Sequence, residues 1–198
     1  AVRVLRKLSR EYLDKFGYKD VQLTIQHGAW QGNWPMDNDR ASALVALDVV
    51  KGMFARADLI RLRCISEGRG IPTCDDLIKT CRLARQMANM LKFQEAPDFP
   101  GLNIEEHMIE LSVRAIVDQA IELGDGDPVV GEIEANKVGV RDAAFTGWKH
   151  AYGKVTPVRD VDGAMRWFDC GNLPLPAEVK EYHRSKLADR EKRLKRPL

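Results

Sequence analysis

Between residues 21 and 91 the hydrophobic pattern changes from a period of two to a helical period, and it does so twice. Val21-Gln22-Leu23-Thr24-Ile25-Gln26 alternates apolar and polar residues, the pattern of a strand. A turn-rich loop over residues 27–39 follows, carrying Gly28, Gly32, Asn33 and Pro35. Asp37 or Asn38 then caps a helix rich in Ala, Val and Leu that runs to about Ala57. Residues 59–65 read as a second strand, with Cys64 in it, and residues 65–73 as a second loop. Thr73 suits the N-cap of a helix reaching about Leu91. Ahead of both units, Val4, Leu5, Leu8, Tyr12, Leu13 and Phe16 form a helical stripe over residues 2–16, which Gly17 ends. Strands that alternate with helices imply a parallel sheet or barrel, with ligands bound on the loops after the strands' C-terminal ends. Loops 27–39 and 65–73 are therefore expected on one functional face. Two strands cannot close a barrel or fill a sheet, so the missing strands are expected from another chain or from sequence outside this one.

The second half reads differently. Residues 93–101 form a Pro-interrupted connector, and residues 103–123 a strongly amphipathic helix closed by Gly124-Asp125-Gly126-Asp127. A short helix is predicted over 128–138, and 143–153 look irregular and aromatic. Strands over 155–161 and 164–169 flank Val161-Asp162-Gly163, a hairpin signal. Gly171-Asn172-Leu173-Pro174 turns the chain, and Pro176 opens a basic terminal helix. The expected organisation is βα units over 1–92, and helices, a hairpin and the terminal helix over 93–198, the latter not an independent domain.

Composition narrows the function classes. Hydrophobic residues make up 44% and charged residues 30% of the 198, as in a soluble globular protein. No apolar run approaches the roughly 20 residues that cross a bilayer, and the basic, amphipathic N-terminus lacks a signal peptide's apolar core. A cytoplasmic location and no membrane partner are expected. The first residue is Ala1, which suggests processing or a piece of something longer. Net charge is +2, yet the segment from Lys180 onward holds eight Lys/Arg and three Asp/Glu, which leaves the rest at about −3. A nucleic-acid partner is not expected, because such proteins show a basic face with aromatic platforms. The basic tail fits a solvated helix with i,i+4 ion pairs. Cys64, Cys74, Cys81 and Cys170 form no CxxC pair and no zinc set, so free thiols in a reducing compartment and no bound metal are expected. Asp125-Gly-Asp lacks the later Glu of a calcium loop. Neither a Gly-rich phosphate loop nor a nucleophile–base set is legible, so no catalytic residue is assigned.

Two clusters suit ligand binding. In the first loop, Trp30 and Trp34 offer flat apolar surface for a ring or a sugar face, and the adjacent glycines let backbone come close. Either Trp also suits a barrel-end plug. His27, with no evident partner, fits a structural role better than an acid–base one. In the second strand and loop, Arg63 and Glu67 lie at i, i+4. A guanidinium donor and a carboxylate acceptor there can hold a diol such as a ribose, or form an ordinary surface ion pair. Arg61 shares Arg63's side of the strand and is expected near the barrel's open end. Lys149, His150 and Lys154 form a small basic cluster that meets phosphate, carboxylate or only water.

Four stretches carry a family resemblance. Trp30-Gln-Gly-Asn-Trp-Pro-Met-Asp resembles a Trp-x-Gly-Gly-Phe-Pro-Gln-Asp loop, and Ser66-Glu-Gly-Arg-Gly-Ile-Pro-Thr73 a Glu-x-x-Gly-Ile-Pro-Thr loop. Gly153-Lys154 with Pro157-Val-Arg-Asp-x-x-Gly163 resembles a Gly-Lys-x-x-Pro-x-Arg-Asp-x-x-Gly segment; Arg166 and Gly171-Asn172-Leu173-Pro174 complete the run. The family is the large (epsilon) subunit of adenosylcobalamin-dependent glutamate mutase, also called methylaspartate mutase, and the resemblance spans nearly the whole chain. It implies an α/β fold: the C-terminal part of a (β/α)8 TIM-type barrel with a helical and hairpin C-terminal elaboration. It also implies an isomerase that interconverts L-glutamate and 3-methylaspartate by radical rearrangement of the carbon skeleton.

By the same resemblance, Trp34 stands where the family has Phe beside the adenosyl group. Arg63, in place of Lys, and Glu67 are expected to hold the adenosyl ribose, and Ile71 is a further cofactor contact. The family's arginine clamp for L-glutamate lies in an earlier barrel half that nothing here matches. The cobalt-ligating Asp-x-His-x-x-Gly motif, which belongs to a small B12-binding subunit, is absent too. The resemblance thus implies three partners: the remaining N-terminal barrel portion, the B12-binding subunit and L-glutamate. The competing readings are a barrel-derived scaffold or binding protein without the chemistry, and an interaction module acting through the basic tail.

Overall fold

Parallel pairing in this chain begins where a second strand first becomes available. The computed structural model describes residues 1–30, 32–96, 99–144 and 152–195. Strand β1 (Gln26–Gly28) pairs in parallel with β2 (Leu59–Arg61), in the register Gln26–Leu59, His27–Ile60, Gly28–Arg61. Both strands are shorter than the predicted 21–26 and 59–65. Residues 21–25 have no ladder partner among the described residues. Pairing starts only after Asp58, whose carboxylate accepts the Ile25 N–H at 2.8 Å, while the Ile25 carbonyl accepts the N–H groups of Asp58 and Leu59. At the other end, the Ile65 N–H donates to the Thr80 hydroxyl at 3.1 Å, which turns Cys64 and Ile65 out of the sheet and into the core.

The chain divides into two compact units, Ala1–Pro100 and Gly101–Leu198. In the first, helix α1 (Val2–Lys15) buries Val4 and Leu8. Arg6 on α1 reaches the Asp58 carboxylate at 2.9 Å. The Ile25 N–H and this guanidinium hold the Asp58 carboxyl below its ordinary range. Helix α2 (Asn38–Phe54) starts at Asp37, whose side chain accepts the Arg40 N–H, and buries Ala41, Val45, Asp48, Val49 and Gly52. Gly52 is needed for contact with the sheet: a Cβ there would stand 2.7 Å from Ile60 Cδ1 and 3.3 Å from His27 Cδ2. Helix α3 (Cys74–Leu91) begins with the reciprocal Thr73–Asp76 capping box. Trp34, Ala41, Val45, Cys64 and Ile65 form the core beneath both loops. The architecture is mixed α/β, with two small sheets among the described residues.

The second unit contains α4 (Leu102–Leu123), α5 (Pro128–Val138), the antiparallel hairpin of β3 (Thr156–Arg159) and β4 (Met165–Asp169), and α6 (Ala177–Leu194). Met108, Val155, Leu173, Leu175 and Val179 form its core. Gly131 lets α5 lie on α4, since a Cβ there would stand 2.1 Å from the Ala120 carbonyl oxygen. Arg166, 5% exposed, joins three elements. Its Nε donates to Asp160 at 2.7 Å, its two terminal nitrogens donate to Glu105 at 2.9 and 2.5 Å, and Tyr182 donates to the same Glu105 at 2.6 Å. Asp160 also accepts the N–H groups of Asp162 and Ala164, and so holds the hairpin turn. Burial, and then the bond to Glu105, pushes the Tyr182 hydroxyl up to about 12.

Removing one partner from a buried ion pair leaves the other charge enclosed and unpaired, at a cost of about 3–5 kcal/mol. Arg166→Ala is therefore expected to lower the unfolding free energy by an amount in that range, read as a fall in the urea midpoint at unchanged m-value, whereas an unchanged midpoint would refute the role of the network. The Arg166 guanidinium, against the opposing effect of burial, holds the Glu105 carboxyl below its ordinary 4.5. Its contribution to stability is present above that value and is lost as pH falls through the lower folded value. Acid titration of Glu105→Gln should show a shallower loss of stability in that range than the parent chain.

Candidate functional site

The two loops meet through a glycine. A Cβ on Gly68 would stand 2.7 Å from the Pro35 carbonyl oxygen and 2.8 Å from that of Trp34, so only hydrogen lets loop 65–73 pack on loop 27–39. Glu67–Arg69 form one 3-10 turn, and Gly70 leaves it at φ +124, ψ −140, a backbone that L side chains rarely adopt. Beneath the turn, Cys64 Sγ lies 3.4 Å from both the Ser66 and the Thr80 hydroxyls. Burial pushes the Cys64 thiol up, but hydrogen bonds from Ser66 and Thr80 outweigh it and leave the thiol below its ordinary value.

Three of the four predicted cofactor residues converge. The Arg63 guanidinium carbon lies 5.7 Å from the centroid of the Trp34 ring, over its face. Arg63 Nε lies 3.6 Å from Glu67 Oε1, with the side chains 27% and 39% exposed. At that separation the pair is loose and open to solvent, so a ligand with hydroxyls can engage both groups. Trp34 itself is 9% exposed and belongs to the core. It acts as a floor under Arg63, and its indole Nε1 is buried with no hydrogen-bond partner among the described residues. Ile71 stands apart at 98% exposed.

Trp30 and His27 have other surroundings. Trp30 is 43% exposed, and its indole lies over Gly32, where a Cβ would come within 2.4 Å of the ring. The Trp30 N–H donates to Asp48 Oδ2 at 3.0 Å. Asp48, 2% exposed, anchors the start of the loop from inside α2. Sequence reasoning missed it, although a carboxylate within Val45-Ala46-Leu47-Asp48-Val49-Val50 was a visible signal. His27 is half-buried beside Gly52, with Nε2 unpartnered among the described residues.

The motif residues of the second unit are structural. Asp142, unremarked in the sequence, accepts the N–H groups of Ala143, Gly153, Lys154 and Val155. Burial raises the Asp142 carboxyl, and these four backbone donors outweigh it to lower it. Gly153-Lys154 is thereby a backbone anchor, with Lys154 Nζ 4.6 Å from the Tyr152 ring centroid. Gln31, Lys149 and His150 lie outside the described residues.

Residues 1–198 match the sequence model of the methylaspartate mutase E chain. The chain belongs to this family. Three relatives named glutamate mutase epsilon subunit illustrate the similarity. That of Desulfitobacterium hafniense is 37% identical over 190 residues, covering 96% of this chain and 39% of the relative. That of Treponema denticola is 35% identical over 198 residues, covering 100% and 41%. That of Haloarcula marismortui is 35% identical over 190 residues, covering 96% and 38%. The chain thus spans about two fifths of the length of the curated relatives it matches. In this methylaspartate mutase E-type chain, the Arg63–Glu67–Trp34 group is the place where both loops and the core meet.

Gly68→Ala is expected to separate the loops and destabilise the first unit by about 1–3 kcal/mol, the usual cost of overpacking. Tryptophan emission should shift to the red as Trp34 gains water; unchanged emission and unchanged stability would show that the loops do not need this contact.

Proposed function

We propose that this chain forms the adenosyl-binding wall of a coenzyme B12-dependent glutamate mutase, an isomerase acting on L-glutamate and 3-methylaspartate. The observation that carries the reading is the Arg63–Glu67 pair, 3.6 Å apart and open to solvent above Trp34 at the C-terminal end of a parallel sheet, in a chain of this family. The donor set fits a ribose. Arg63 would donate a hydrogen bond to one hydroxyl oxygen, and Glu67 would accept a hydrogen bond from the neighbouring hydroxyl. Trp34 holds the guanidinium in place from below, and Ile71, fully exposed, offers apolar area to the base or to a partner. When bound, adenosylcobalamin supplies the radical that starts the rearrangement. The chain's own residues orient the nucleoside and keep water from it.

This reading places β1 and β2 in a (β/α)8 barrel completed by the remaining N-terminal portion, which carries the clamp for L-glutamate. A small B12-binding subunit supplies the cobalt ligand. Family membership favours an enzyme component over a scaffold without chemistry. No helix among the described residues is long and apolar enough to cross a membrane, and Cys74 and Cys81 are exposed free thiols, which suits a reducing cytoplasm.

Glu67→Gln keeps the shape of the side chain and removes the charge of the acceptor. Hydrogen bonds to charged groups contribute about 1.5–3 kcal/mol, so the affinity of the assembled enzyme for adenosylcobalamin should fall roughly tenfold or more. Spectroscopic titration that returned the parent affinity, with parent turnover, would remove Glu67 from the site.

A further inference from the structure

Several side chains of loop 65–73 converge on a single carboxylate. Asp76, its side chain 14% exposed, stands in the first turn of α3. Its Oδ2 accepts the Thr73 N–H at 3.3 Å and the Thr73 hydroxyl at 2.8 Å, while its Oδ1 lies 3.9 Å from Arg69 Nη2. The Ser66 hydroxyl donates to the same carboxylate. The Asp76 carbonyl adds a further tie. It accepts the Thr80 hydroxyl at 2.8 Å, and that hydroxyl in turn accepts the Ile65 N–H. Bonds from Thr73, against the opposing effect of burial, hold the Asp76 carboxyl below its ordinary value, and Ser66 and the Arg69 charge add to them.

Glu67 lies inside this set of contacts. Its N–H donates to the Cys64 carbonyl at 3.0 Å, and the Arg69 N–H closes the turn on the Ser66 carbonyl at 2.8 Å. Side chains on both sides of Glu67 therefore end on Asp76. A capping box needs only Thr73 and Asp76, so the contacts with Ser66 and Arg69 exceed what starting α3 requires. The Glu67 carboxylate meets Arg63 only loosely, at 3.6 Å, which leaves the backbone of the turn to decide where it stands. Groups that engage a ligand have to be held within about 0.5 Å of the productive position.

We infer that Asp76 is a positioning residue of the nucleoside site: by gathering Ser66, Arg69 and Thr73 on one carboxylate, it sets the turn that aims Glu67 beside Arg63. This rests on the proposed function and deepens it. Asp76 acts through Glu67 and not on the ligand itself.

The test uses the assembled enzyme, with the rest of the barrel and the B12-binding subunit. Asp76→Asn keeps one oxygen for Thr73 but loses the charge and one acceptor that serve Ser66 and Arg69. Asp75→Asn removes a carboxylate from the same helix turn, and so controls for charge at the helix start. In spectroscopic titration with adenosylcobalamin, Asp76→Asn should weaken binding roughly threefold to tenfold. Asp76→Glu, with both oxygens and the charge kept, should bind more tightly than Asp76→Asn, and Asp75→Asn should match the parent. In a Glu67→Gln background, Asp76→Asn should add little further loss, because both changes act through one group. Without cofactor, amide hydrogen exchange in Asp76→Asn should quicken over residues 64–73 and stay at the parent rate over residues 82–91. Parent affinity in Asp76→Asn, an equal loss in Asp75→Asn, or an undiminished further loss in the Glu67→Gln background each overturn the inference. A parent assembly that binds no adenosylcobalamin sinks the proposed function instead. The exchange rates then still decide Asp76: unchanged exchange over residues 64–73 overturns its role in setting the turn, and faster exchange upholds it.

Discussion

Asp58 sets the frame of the first unit. Its carboxylate takes the Ile25 N–H and the Arg6 guanidinium, and its own N–H goes to the Ile25 carbonyl. These bonds fix where the chain arriving from α1 meets the chain leaving α2, and so fix the register of β1 on β2. Every later placement follows from that register. Gly28 and Arg61 end the strands side by side, Ile60 and His27 meet Gly52, and both loops leave from one end of the sheet. A slip of one residue would send Arg61 toward α2 and Ile60 to the open face.

The two loops differ in how they are held. Loop 27–39 is tied to α2 by the buried Asp48 carboxylate at its start and by the Asp37 cap at its end. Loop 65–73 is tied to α3 by Thr80 and by the Thr73–Asp76 box. Between them stands Gly68, whose missing side chain lets the loops touch. The Arg63–Glu67 pair is the loose part of this frame. Its groups are partly exposed and separated by more than a good hydrogen bond. Rigid support beneath a weakly satisfied donor and acceptor is what a site needs if it is to exchange an internal contact for a ligand.

In the second unit polar residues serve the opposite purpose. Arg166, Asp160, Glu105 and Tyr182 satisfy one another almost completely, and Asp142 accepts four backbone donors. Such networks are costly to break and have little left to offer a ligand. The motif around residues 153–174 therefore marks a fold requirement, even though the same kind of residues, Arg and Asp, would suit a binding site.

Local pattern was enough for most elements. The Thr73 cap, the helix over Pro128–Val138 and the hairpin around Gly163 follow from nearest-neighbour chemistry, which a sequence displays directly. The pairing of Arg63 with Glu67 was legible too, because i, i+4 spacing needs no knowledge of the rest of the chain. Strand lengths were not, since a ladder ends where its partner ends. Trp34 as a buried floor, Asp48 as an anchor and Asp142 as a clamp were likewise hidden. Their partners lie far along the chain, 18 residues from Asp48 to Trp30 and about 30 from Trp34 to Cys64, or are backbone groups with no side-chain signature. The sequence by itself determined the two βα units, the helix caps, the family and the Arg–Glu pair, all of them set by local spacing and residue type. Tertiary structure alone decided that Arg63 rests over the buried Trp34 ring, because that contact depends on what another segment brings within a few ångströms.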